Sequence, residues 1–234
     1  MKPLSQTEKK IIKQIKNFDT PTISNSLELI DSSLRSKGHT QKTMHCLNPK
    51  LKPIVGFAKT AIITSRKKKS TNIIKNRDKY YEYMFDGSYP KICVIEDKDN
   101  KNTIGAWWGE LNATIHSNFG FEGAITNGAM RDLQEIDKTF QILSGEIRVG
   151  HGYNQIHKLN CKVNIFNMVV QPNDIIHADL HGAVNINRDY LKELPSAIKR
   201  MVNKEKIIMS FLKKYKKFSK KQFIDKYKKF LNKK

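Results

Sequence analysis

The sequence has few cysteines, few acids for its number of bases, and no long apolar run. Its 234 residues include three cysteines, Cys46, Cys93 and Cys161, isolated from one another and odd in number. With no CxxC spacing they argue against a thiolate zinc site and a disulfide framework, so a reducing compartment, the cytoplasm, is expected. No HxH or HExxH spacing supports a histidine metal site. No stretch approaches the ~18 apolar residues of a transmembrane helix. The opening "MKPLSQTEKKIIKQIKNFD" lacks an uninterrupted apolar core, so no secretory leader is expected. There is no internal repeat.

Acids are outnumbered, 22 against 43 Lys and Arg. The imbalance is uneven: residues 199–234 hold 15 Lys/Arg against Glu205 and Asp225, leaving 28 bases and 20 acids in 1–198. We expect one domain over 1–198, long enough to bury a real core, and a basic helical extension over 199–234.

What is present reads as a mixed α/β chain. "SQTEKKIIKQIKNF" (5–18) sets Ile11, Ile12, Ile15 and Phe18 on one helical face, with Ser5 as N-cap and Glu8 three residues on. Pro21 ends it, and a second helix is expected over 22–30. Residues 36–53 read as loop, 54–64 as a strand, and 65–85 as a basic loop running into a helix. "KICVIED" (91–97) reads as a buried strand. A helix follows from Glu110 to Phe119, closed by Gly120. "GAIT" (123–126) is a strand, and Asn127–Gly128 a turn. After 140 strand signals dominate, with "QPND" (171–174) as a turn, until helix returns beyond 190. This interleaving argues a mixed α/β domain without a regular βαβ repeat.

Two pieces carry candidate chemistry. In "WWGEL" (107–111), Gly109 precedes a helix whose first backbone N–H groups lack intrahelical partners, a natural cradle for a carboxylate. In "NGAMRDLQEI" (127–136), Arg131 offers a planar fork suited to a carboxylate or 2-oxo acid. Its neighbour Asp132 is a hard oxygen ligand for Mg²⁺ or Mn²⁺. Taken alone, an Arg-Asp pair after a turn is an ordinary surface ion pair. If the two pieces converge, they assemble an anion cradle, a cation, a metal ligand and a spare carboxylate, Glu110. Such a set suits chemistry that builds an enolate beside a bound carboxylate.

The stretch "GELNATIHSNFGFEGAITNGAMRDLQEI" resembles the signature of the 4-hydroxy-4-methyl-2-oxoglutarate aldolase family, which also contains the regulator of ribonuclease activity A. That pattern sets an acid, twenty residues, then Arg-Asp, then two residues and another acid. Glu110, Arg131, Asp132 and Glu135 fit. "DTPTISNSLE" (19–28), "VGFAKTA" (55–61) and "VQPNDIIHADLHGAVNIN" (170–187) are similar to further family segments, so the likeness spans about 15–200. Departures are Glu110 in place of an Asp, "PND" in place of proline-glycine-aspartate, and Asn25 where Asp is common.

The resemblance implies a compact β/β/α, swivelling-domain-like fold assembling as homotrimers or homohexamers, with sites near subunit interfaces. It implies Arg131 on the pyruvyl carboxylate and oxo group, and Asp132 anchoring Mg²⁺ or Mn²⁺ through bound water. The backbone of Gly109, Glu110, Leu111 and Asn112 would cradle the substrate carboxylate, with Glu110 positioning a catalytic water. Glu135 and, from a neighbouring subunit, Glu205 are supporting acids. The expected activity is cleavage of a 4-hydroxy-2-oxo acid to release pyruvate, or decarboxylation of oxaloacetate. The competing readings are a non-catalytic regulator of a ribonuclease and a nucleic-acid-binding protein acting through its basic tail. No strand-linked glycine loop for a methyl-donor nucleotide is present. His151 and His157 read first as structural or surface residues, and Trp107 and Trp108 as packing beneath the site. The lysine-rich C-terminus reads as a solvated helix, or as one touching nucleic acid or an anionic membrane.

Overall fold

The computed structural model describes residues 4–66, 73–87 and 90–232. The capping box at Ser5 and Glu8 opens α1 (Gln6–Ile15): the Ser5 amide donates to Glu8 Oε2 at 2.7 Å and the Glu8 amide to Ser5 Oγ at 3.2 Å. Asp19 caps α2 (Thr20–Ile30), which starts two residues earlier than its sequence pattern indicates. Pro21 sits in its first turn, where a missing N–H costs nothing. Then come β1 (His45–Cys46), β2 (Ile54–Thr64), α3 (Ile73–Phe85), β3 (Lys91–Asp97), β4 (Ala106–Trp108), α4 (Glu110–Asn118) and β5 (Phe121–Met130). Of the basic loop expected after β2, residues 67–72 lie outside the described residues. Six further strands follow: β6 (Gln141–Ile147), β7 (Gln155–Leu159), β8 (Val163–Ile165), β9 (Met168–Val170), β10 (Ile175–Asp179) and β11 (Gly182–Ile186). The chain closes with α5 (Leu194–Lys214) and α6 (Lys220–Asn232).

Nine strands form one mixed sheet in the order β1-β6-β5-β3-β2-β10-β11, with β4 against β5 and β7 against β2. The centre, β2, β3, β5 and β6, is parallel, and antiparallel strands flank it. Side chains alternate across a strand, so each central strand feeds two cores. Ala61 and Ile63 of β2 and Cys93 and Ile95 of β3 meet α3 and α4 on one face. Ala58, Ile62, Ile92 and Val94 meet the β8–β9 hairpin on the other. A third cluster joins α1, α2 and the first turns of α5 to β10 and β11 through Ile15, Ile23, Leu27, Val184, Leu194 and Ile198. The mixed α/β single domain expected from the sequence is what is found.

One expectation is overturned. Asn127 and Gly128 do not turn; they lie inside β5, which runs on to Met130. Where the ladder to β3 ends at Thr126, the Asn127 side chain continues it. It accepts from the Asp97 amide at 2.7 Å and donates to the Asp97 carbonyl at 2.9 Å. Gly128 then passes so close that a Cβ would lie 2.9 Å from Asp97 Cβ. The pair reads locally as a turn, but tertiary partners hold it extended, with a register irregularity against β6 between Thr126 and Ala129.

Candidate functional site

β4 and β5 are parallel neighbours with Trp108 opposite Met130, so the next residues, Gly109 and Arg131, leave the sheet side by side. The Arg131 amide donates to the Trp108 carbonyl at 2.9 Å and fixes this exit. Gly109 is the N-cap of α4, with no side-chain capping bond. Asp132 supplies that function from outside: its Oδ2 accepts from the Glu110 amide at 3.3 Å and lies 3.4 Å from Arg131 Nε. A Cβ on Gly109 would sit 2.5 Å from this oxygen and 3.3 Å from Arg131 Cγ and Nε, so only glycine admits both. Asp132 holds a left-handed backbone at φ 54°, a conformation that costs a non-glycine residue and clusters at functional sites.

The remaining members fall as follows. Glu110 is exposed at the cleft margin and Leu111 is 74% exposed. The Asn112 side chain is committed to structure, donating to the Trp107 carbonyl at 2.6 Å and accepting from Tyr81 Oη at 3.3 Å. Glu135 stands in a turn, not a helix; its amide donates to the Asp132 carbonyl at 3.2 Å and its side chain faces solvent. Glu205 is on an exposed face of α5 and does not line the cleft of its own chain. Trp108 is fully buried, edge-on to His116 at 4.8 Å, while Trp107 lines the cleft.

A cavity of about 790 Å³ opens over these strand ends. Its far wall was not legible in the sequence. Arg77, Asp78 and Tyr81 come from α3, and Arg77 lies 5.9 Å above the Trp107 ring. Opposite them are His151, Tyr153 and Asn154. That loop is strapped to β4: the Ala106 amide donates to the Gly150 carbonyl at 2.9 Å and Asn154 Nδ2 to the Ala106 carbonyl at 2.7 Å. Gly105 makes the close approach possible, since a Cβ there would lie 2.3 Å from His151 backbone atoms. His151 therefore borders the cleft, whereas His157 is on the exposed side of β7.

Beneath the floor, His116 is fully buried. Its Nδ1 faces the Asn112 carbonyl at 2.6 Å and its Nε2 the Tyr80 hydroxyl at 2.7 Å. The partners fix the tautomer, with Nδ1 donating to the carbonyl and Nε2 accepting from the hydroxyl. Burial holds its pKa down at about 4, against the smaller opposing effect of the Asn112 carbonyl. A neutral ring thus ties the first turn of α4 to α3.

The donors suit a hydrated hard cation. Among the described residues no group of three or more His, Cys, Asp or Glu is placed to hold a metal. One half-exposed carboxylate in an open cleft is what Mg²⁺ and Mn²⁺ use when they keep most of their waters. Asp132 fits that role and a dehydrated cage does not.

Fold and site together define a mixed α/β domain in which a helix N-terminus, an arginine and a carboxylate meet at the C-terminal ends of two paired parallel strands. The chain belongs to the RraA-like family, described as Aldolase/RraA, whose model matches residues 20–185. It is 28% identical over 195 residues to Protein DlpA of Legionella pneumophila, which covers 81% of this chain but only 29% of DlpA. An uncharacterized protein of Pseudomonas syringae has the same fold at 16% identity and a TM-score of 0.71, with 91% of each chain covered. RraAS2 of Streptomyces coelicolor, an unusual member of the RNase ES inhibitor RraA protein family, superposes at a TM-score of 0.67 and 14% identity over 84% of this chain and 95% of its own.

Proposed function

We propose that the chain is a divalent-metal-dependent carbon–carbon lyase that releases pyruvate from a 4-hydroxy-2-oxo acid, with oxaloacetate decarboxylation as a related activity. The observation that carries it is the meeting of Arg131, Asp132 and the α4 N-terminus over Gly109. Mg²⁺ or Mn²⁺ on Asp132 would supply an electrophile near the 2-oxo oxygen. Arg131 binds the carboxylate and oxo oxygens through its fork. Asp132 occupies the Glu110 amide, so helix geometry leaves those of Leu111 and Asn112 for the substrate carboxylate. Glu110, at the mouth, orients a water that takes the 4-hydroxyl proton. As the C3–C4 bond breaks, its electron pair enters the pyruvate enolate, which is then protonated at C3. A homotrimer or homohexamer would bring a neighbour's acid, with Glu205 the candidate, toward this mouth.

The test is pyruvate release over a panel of 4-hydroxy-2-oxo acids and oxaloacetate, with Mg²⁺ or Mn²⁺ and after chelation. Turnover that needs metal supports the proposal, and no turnover on any member sinks it. The second reading, a non-catalytic ribonuclease regulator, is favoured by the family that includes the ribonuclease inhibitors. It predicts a silent cleft and a slowed ribonuclease.

A further inference from the structure

We propose that the α5–α6 hairpin is a docking surface for an anionic lipid bilayer, on which it lies without crossing. The two helices are antiparallel, because Lys204, midway along α5, places its ammonium 5.4 Å from the Phe230 ring near the end of α6, while Phe211 near the end of α5 meets Phe218 just before α6. A ladder of rings seals the seam: Phe211–Phe218 at 5.2 Å, Phe218–Phe223 at 6.0 Å, Phe223–Tyr227 at 5.8 Å.

Away from that seam each helix exposes an apolar stripe. On α6 these are Ile224 and Leu231, at 36 and 53% exposure; on α5, Val202, Met209 and Leu212, at 42, 48 and 37%. Measured from the seam residues Phe211 and Phe223, Leu212 on α5 and Ile224 and Leu231 on α6 each lie roughly a quarter of a turn further round their helix, while Val202 and Met209 lie nearer the back of α5. In an antiparallel pair that brings Leu212, Ile224 and Leu231 to the same side, giving one apolar face. Lysines 220, 221 and 228 border it on α6, and the segment 199–234 carries 15 bases against two acids.

Charge and chemistry select the occupant. A second copy would set two strongly cationic hairpins against each other. A single-stranded nucleic acid needs open ring faces to stack on. Here most rings are spent on one another, and the open face is largely aliphatic. Aliphatic residues bordered by lysine suit the boundary between acyl chains and anionic headgroups. No described helix is long and apolar enough to cross a membrane.

The experiment is co-sedimentation of the full chain with vesicles of mixed phosphatidylglycerol and phosphatidylcholine, and with pure phosphatidylcholine. Binding is expected on the anionic vesicles only, weakening as salt rises. The double variant Ile224→Ser/Leu231→Ser, at exposed positions, should cut it at least about tenfold while the thermal midpoint holds. Equal binding to both vesicle types, or an unaffected double variant, overturns the proposal. So does a face that instead holds a thymidine oligonucleotide or a second copy, with the double variant losing that complex and wild type ignoring vesicles.

Discussion

The amide of Arg131 donates to the carbonyl of Trp108 at 2.9 Å, joining the last residue of β4 to the first residue beyond β5. Through this bond two segments twenty residues apart in sequence bring Gly109, Arg131 and Asp132 to one point. Asp132 then reaches back to the amide of Glu110 at 3.3 Å. The ion pair that the sequence offers as a surface feature is held by backbone on both sides.

Arg131→Ala and Asp132→Ala should each lower kcat/KM for pyruvate release by about 10²–10³-fold, because Arg131 sets positive charge at the developing enolate and Asp132 would hold the metal that does the same. A coupled lactate dehydrogenase assay reads this directly. Retained activity in either variant removes the residue from the mechanism.

Gly109→Ala tests the close approach separately. The new methyl would meet Asp132 Oδ2 at 2.5 Å, and that carboxylate must move. Activity should fall about tenfold or more, since small misplacements of reacting groups are costly. Thermal unfolding should shift by only a few degrees, as Gly109 has an extended backbone that alanine adopts. A fall in stability without a fall in turnover would contradict this reading.

Asn127→Ala should destabilise the fold by about 2–4 kcal/mol, because the buried Asp97 amide and carbonyl lose their partner at once. Urea unfolding measures it. A change below about 0.5 kcal/mol would mean that the Asn127 side chain does not complete the sheet.

His116 makes stability depend on pH. Burial lowers its folded pKa from 6.5 to about 4, so the unfolded chain binds the additional proton as pH drops through that window. Its contribution is intact above pH 6.5 and is lost toward pH 4, about 3 kcal/mol in all. The difference between wild type and His116→Gln in unfolding free energy should slope between these values and flatten above them. A flat difference throughout would refute the buried neutral ring.

Much of this was legible from residue order. The Ser5–Glu8 capping box, the glycine before α4 and the left-handed Gly120 after it are local signals with local causes, and each stands where expected. The Asn127–Gly128 pair reads as a turn because local preference is all that residue order offers there, and partners on β3 outweigh it. Arg77, Tyr81 and Asn154 gave no signal at all. Their spacing within α3 and the 150–154 loop carries no trace of the cleft they face.

By itself the sequence determined the helix caps, which depend on neighbours a few residues apart, and the family pattern and uneven charge, which are properties of residue order and composition alone. Only the tertiary structure decided that β4 and β5 run side by side, that Gly109 stands against Asp132, and that α3 and the 150–154 loop wall the cleft. Those are contacts between distant segments, chosen by how the sheet packs, and no local preference encodes them.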